Sequence, residues 1–177
     1  MNYFTPDLIQ RGNSLDDDVA DAASEEWEKA IRRYQRRWDK IKAAFPEEVR
    51  RFDDEAVCLH DAYVLSIARQ GETLVMVLQA GPPSRNAVVL TFTLLDDPEI
   101  ETVLPDRPQH GPVLWMYEEF DLDRRKRCTF EVLLTNGWSV KVRFRDFHFL
   151  VAERLFPVPA AKVDVPVLPP TPVPQSA

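Results

Sequence analysis

Residues 128–145 constrain the fold more than any other stretch, because they form a β-hairpin whose register follows from burial. Asn136-Gly137 marks the turn, and alternating residues flank it on both sides. A loop of Asn136 and Gly137 alone pairs Thr135 with Trp138. Phe130, Val132 and Leu134 then share a face with Arg143, Lys141 and Ser139. A three-residue loop, Thr135-Asn136-Gly137, pairs Leu134 with Trp138, Val132 with Val140, Phe130 with Val142 and Cys128 with Phe144. It also sets Glu131 opposite Lys141. A slip of one residue exchanges the two faces, so burial selects the second register. Gly137 then falls where such a loop needs φ > 0. The hairpin predicts an antiparallel sheet with one dry face, and it places Lys141, Arg143 and Arg145 on the outer one.

The rest of the chain extends this pattern. Thr5 can cap a short helix with Pro6 at its first position and an end near Gly12. The acidic residues that follow form either a loop or a helix start capped by Ser14. Trp27, Ile31, Tyr34, Trp38, Ile41 and Phe45 make an apolar stripe at helical spacing, with Ser24 as the expected N-cap and Pro46 as the limit. A further short helix is expected from Pro46 to about Asp53. From Cys58 the period becomes two. Tyr63, Leu65 and Ile67 share a face, as do Leu74, Met76 and Leu78, and a turn at Gln70-Gly71 pairs Ile67 with Leu74 and Arg69 with Glu72. Val88, Leu90, Phe92 and Leu94 define a third strand. Residues 96–112 read as an irregular crossing, and Val113 to Leu122 as an interior strand apolar on both faces. The broken alternation at Arg145-Asp146 predicts a β-bulge or a strand end.

These elements predict an α+β fold: a mostly antiparallel sheet of about six strands with N-terminal helices packed on one face. One domain spans residues 1–156, with helices in 1–55 and the sheet in 58–150. Residues 157–177 hold seven of the 15 prolines and read as an extended, disordered tail, whose Pro166 and Pro169 form a minimal PxxP.

Composition narrows the function classes. A net charge of −7 argues against a general nucleic-acid binder. Cys58 and Cys128 make no disulfide framework and read as buried, reduced thiols. The start of the chain lacks the basic and apolar regions of a signal peptide, and no apolar run approaches the ~20 residues of a membrane span. A cytoplasmic location without membrane association is the expectation. HExxH, CxxC, GxSxG and P-loop motifs are absent from the sequence, so neither a metal nor a cofactor is expected.

The residues that carry chemistry are few. Of the three histidines, His60, His110 and His148, His60 is followed by Asp61. Asp61 shares the parity of Tyr63 and Leu65, where a carboxylate needs a backbone donor or an arginine. One of Glu118 and Glu119 must face inward, where a raised pKa suits a general acid. His60, Asp61, Glu118, Glu119 and His148 are therefore the catalytic candidates. Arg124, Arg125, Lys126 and Arg127 form a basic loop, and Arg32, Arg33, Arg36, Arg37 and Lys40 lie on the long helix. Brought together with Lys141, Arg143 and Arg145, they would present a positive binding face.

Four short motifs resemble the bacterial domain-of-unknown-function family numbered 4085. They are Tyr3-Phe4-Thr5, the helix bearing Trp27 and Tyr34, Leu59-His60-Asp61-Ala62, and Tyr117-Glu118-Glu119. The resemblance covers roughly residues 1–150 and implies no activity. Small antiparallel domains of this kind are also similar to bacterial immunity proteins that bind toxins, an analogy of fold alone. The leading expectation is a non-enzymatic protein-binding module, with toxin neutralisation as its more specific form. The alternatives are a small hydrolase-like enzyme using His60 with Glu118 or Glu119, and nucleic-acid binding through the basic outer face.

Overall fold

The computed structural model describes residues 1–55, 57–81, 85–104 and 111–153. The proline-rich tail with its PxxP, and His110, lie outside the described residues. Three helices, α1 (Pro6–Gly12), α2 (Asp17–Ile41) and α3 (Glu47–Asp54), precede seven strands. These are β1 (Tyr63–Gln70), β2 (Thr73–Gln79), β3 (Ala87–Leu94), β4 (Glu99–Thr102), β5 (Trp115–Leu122), β6 (Cys128–Leu134) and β7 (Trp138–Ala152). The strands pair antiparallel in the order β1-β2-β3-β7-β6-β5, and β4 adds to the first part of β7. The fold is α+β, as expected, with one strand more than predicted. That strand arises because Glu99 to Thr102 pair with Lys141 to Trp138 inside the supposed irregular crossing.

The β6–β7 hairpin has the derived register, with Val132 opposite Val140, Phe130 opposite Val142 and Glu131 opposite Lys141. Gly137 adopts φ +82° and donates its N–H to the Leu134 carbonyl at 2.9 Å. The β5–β6 connection is built alike. Lys126, at φ +60°, donates to the Asp123 carbonyl, and Asp123 donates to the Arg127 carbonyl. The break beyond Phe144 is a bulge at Arg145, after which β7 continues along β3.

Elsewhere the local rules place elements well and registers less well. Thr5 caps α1 through the Leu8 N–H. Helix α2 starts at Asp17 rather than after Ser24, because Asp16 accepts from the Asp18 and Val19 N–H groups while Ser14 only supports Asp16. On α2 the small Ala23 and Ala30 face inward and Ile31 stands 45 % exposed, so the stripe runs one residue off at that turn. The β1–β2 loop is Gly71-Glu72, with Gln70 opposite Thr73 and Ile67 opposite Met76. Gly71 has φ +59°, and a two-residue loop needs positive φ at its first position, which Gln70 would occupy less readily. This shift of two residues preserves the faces. Arg69 meets Asp97 at 2.7 Å instead of Glu72. A bulge at Leu65 does change the faces: Val64 enters the core, and Tyr63 is 40 % exposed.

The sheet curls until its two ends meet. Asp61 N–H donates to the Trp115 carbonyl at 2.9 Å, Trp115 N–H to Ala62 at 2.8 Å and Val64 N–H to Val113 at 2.9 Å. Strand β5 is thus the last on the path rather than an interior strand. Its edge is protected by this junction and by α2, whose Tyr34 hydroxyl accepts the Phe120 N–H at 2.9 Å. Trp38, Ile41, Phe45, Val49 and Phe52 carry the helices onto the concave face. There Phe92, Phe130, Phe144 and Phe147 are fully buried, with Phe92 to Phe130 centroids 5.0 Å apart. Burying each such side chain stabilises the fold by roughly 1.5–3 kcal/mol. Cys128 is half-buried opposite Phe144, whereas Cys58 is exposed, contrary to expectation; both are free thiols.

Candidate functional site

Residues far apart in the chain converge on β5. Phe4, Trp27, Tyr117 and His60 form a cluster of tilted rings, with successive centroid separations of 5.0 Å, 4.4 Å and 5.0 Å. Tyr3 and Phe4 each stand 5.5 Å from Tyr34. The four motifs behind the family resemblance, spread over residues 3–119, thus share one region of space. His60 is exposed, and Trp27 and Tyr117 are half-buried. Burial, and then the negative field of Asp61, raises the Tyr117 hydroxyl above the ordinary tyrosine range.

A bulge at Met116 decides which of the two glutamates turns inward. Beyond it, Glu118 pairs with Val132 and Phe120 with Phe130, so both point to the concave face. The same bulge lets Trp115 face inward, where its indole N–H donates to Glu118 Oε2 at 2.6 Å. Burial raises the Glu118 carboxyl above the ordinary range, opposed by the Trp115 hydrogen bond and then by the field of His60.

Glu119 lies on the opposite face under the start of the chain and is 3 % exposed. It accepts three consecutive backbone N–H groups, from Asn2 at 2.7 Å and from Tyr3 and Phe4 at 2.8 Å. Such a run of amides is an anion-binding concavity, occupied here by the protein's own side chain. Beside it, the Met1 amino group bonds Glu131, which also receives Ser139 and Lys141. Burial alone would raise the Glu131 carboxyl; the amino terminus, then Lys141 and Ser139, outweigh it and hold the group low.

The remaining candidates separate. His60 and Asp61 form a turn closed by the Ala62 N–H on the Leu59 carbonyl, with Asp61 at φ +61°. Asp61 therefore points to solvent rather than to the core face, and its near neighbour is His60 at 3.7 Å rather than an arginine. His60 Nδ1 meets the Met116 carbonyl at 2.7 Å. Among the described residues no hydrogen bond joins His60 to either glutamate. His148 sits on β7 opposite Thr91, with Asp146 at 3.1 Å.

On the outer face, acids meet most of the cations. Arg143 contacts Glu99 at 2.6 Å and Asp96 at 3.4 Å, Arg127 contacts Asp123 at 2.7 Å, and Arg145 contacts Glu72 at 2.7 Å. On α2, Arg37 holds Asp121 at 2.7 Å. Hydrogen bonds from the Arg127 backbone lead the causes that lower the Asp123 carboxyl. Arg124, Arg125 and Lys126 are exposed and form no ion pair among the described residues. Arg124 and Arg125 line a shallow depression of about 500 Å³ together with Asp96, Asp123, Arg127 and Arg143.

Of the two carboxyls in the cavity between α2, α3 and β5, Glu118 belongs to the pair expected to turn one member inward, whereas Asp53 was not singled out from the sequence. This partly enclosed space of about 150 Å³ is lined by the rings of Tyr34, Trp38, Phe52 and Phe120, with Asp53 and Glu118 as its carboxyls. Trp38 Nε1 fixes Asp53 Oδ2 at 2.7 Å. The signals in the sequence were the aromatic stripe and the adjacent Glu118 and Glu119; nothing local marks Asp53.

No protein-family model and no curated protein matches this chain. No described helix is long and apolar enough to cross a membrane.

Proposed function

We propose that the protein is a cytoplasmic, non-enzymatic protein-binding module, with toxin neutralisation as its more specific form. The observation that carries this reading is the Trp27–Tyr117–His60 aromatic cluster, in which the exposed His60 ring adjoins two half-buried larger rings. Tryptophan and tyrosine anchors of this kind dominate binding energy at protein interfaces. Membership of the domain-of-unknown-function family is a proposal too, resting on the motifs that meet at this cluster.

The hydrolase alternative has less support. Glu119 is saturated by backbone amides, Glu118 accepts from an indole, and His148 lies with Asp146 away from both. On the outer face the nucleic-acid alternative keeps the Arg124–Lys126 tip, since Lys141, Arg143 and Arg145 each face a carboxylate.

Tagged protein returned to its native host tests the reading by co-purification. A stoichiometric protein partner is expected with the wild type, lost in Tyr117→Ala and His60→Ala and kept in Arg124→Ala/Arg125→Ala. No partner with the wild type, or a partner indifferent to Tyr117→Ala, overturns it.

A further inference from the structure

The cavity between α2, α3 and β5 combines four aromatic rings with two carboxyl groups, and among the described residues no cation lines it. Trp38 donates to one oxygen of Asp53 and Trp115 to one oxygen of Glu118. Among the described residues no other side chain donates to either. Glu118 lines the cavity, and among the described residues no other residue donates to its second oxygen.

These features select a ligand class. An anion is repelled by two acids. A neutral apolar molecule would cover the free Glu118 oxygen without offering it a donor. A primary ammonium carries three N–H donors for the carboxyl oxygens, and aromatic rings favour a cation beside them. Its alkyl stem matches the apolar wall of Phe52 and Val57. The volume suits a small group, since an apolar cavity near 150 Å³ accommodates a molecule the size of benzene.

We propose that this cavity is a binding site for a primary alkylammonium group, supplied by a free amine or by a lysine side chain. The site is separate from the Trp27–Tyr117–His60 cluster and does not depend on it. The titratable groups around Glu118 are Tyr34 from α2, Asp53 from α3 and His60 from the Leu59–Ala62 turn. Binding the cation favours the ionised Glu118, so affinity rises with pH while Glu118 gives up its proton.

The test titrates the full chain with butylammonium chloride at pH 8. It follows the indole N–H signals of Trp38 and Trp115 by NMR, with butanol and sodium butyrate as matched controls. Saturable shifts with butylammonium alone are expected, with affinity roughly tenfold weaker in Glu118→Gln and in the rim variant Asp53→Asn. An equal response to butanol, no saturation, or unchanged affinity in both variants overturns the site. A parallel arm uses Nα-acetyl-lysine amide. Tighter binding than butylammonium assigns the site to a polypeptide lysine, and weaker binding assigns it to a free amine.

Discussion

A methyl group at Gly137 would stand 2.9 Å from the carbonyl oxygen of Leu104 and 3.2 Å from its Cβ. The chain beyond β4 crosses the β6–β7 turn at this point, where Val103 and Leu104 both donate to the Gly137 carbonyl. Gly137 therefore answers two demands, a left-handed φ and a close approach. Gly137→Ala is expected to destabilise by roughly 2–4 kcal/mol, combining a left-handed backbone cost of about 1 kcal/mol with overpacking of about 1–3 kcal/mol. Urea denaturation checks this, and a loss below 1 kcal/mol would contradict the packing at Leu104.

Lys126 occupies the equivalent left-handed position in the β5–β6 turn, at φ +60°, but with a side chain. Lys126→Gly should relieve the backbone strain and gain about 0.5–1 kcal/mol after the added freedom of the unfolded chain is subtracted. Arg125→Gly, at a position without positive φ, should lose stability. Thermal melts of the two variants should move in opposite directions.

Glu118 links stability to pH. Its folded pKa lies above the unfolded one, so the native state binds the extra proton between the two values. Stability then falls as pH rises from the ordinary glutamate range through the raised one, with a slope of at most about 1.4 kcal/mol per pH unit. Glu118→Gln keeps an acceptor for Trp115 and should remove this slope. Identical pH profiles for variant and wild type would refute the burial of Glu118.

Glu119 anchors the start of the chain. In Glu119→Ala the amides of Asn2 and Tyr3 can turn to water, but the Phe4 N–H is buried. Stranding that donor should cost roughly 1–3 kcal/mol. Hydrogen exchange at Tyr3 and Phe4 should accelerate more than at Val132 and Val142, which report global opening. Uniform acceleration would mean that the segment does not dock independently of the sheet.

The sequence by itself determined what period and turn chemistry control. The β6–β7 register, the alternation of β3 and the starts of α1 and α3 were readable because a one-residue error would bury charge or forbid a turn. Glycine at a positive-φ position and proline at a helix start act within a few residues. Tertiary structure decided the rest. The bulges at Leu65 and Met116 invert parity next to the junction where residues 61–64 pair with 113–115, and no local rule marks where a curled sheet must close. That inversion exposes Asp61, turns Glu118 into the cavity and leaves Glu119 to the amides of residues 2–4. The basic residues were visible as a run of charge, but their partners Asp96, Glu99 and Glu72 come from other strands and loops. Which charge stays free depends on long-range contact, and sequence spacing carries no record of it.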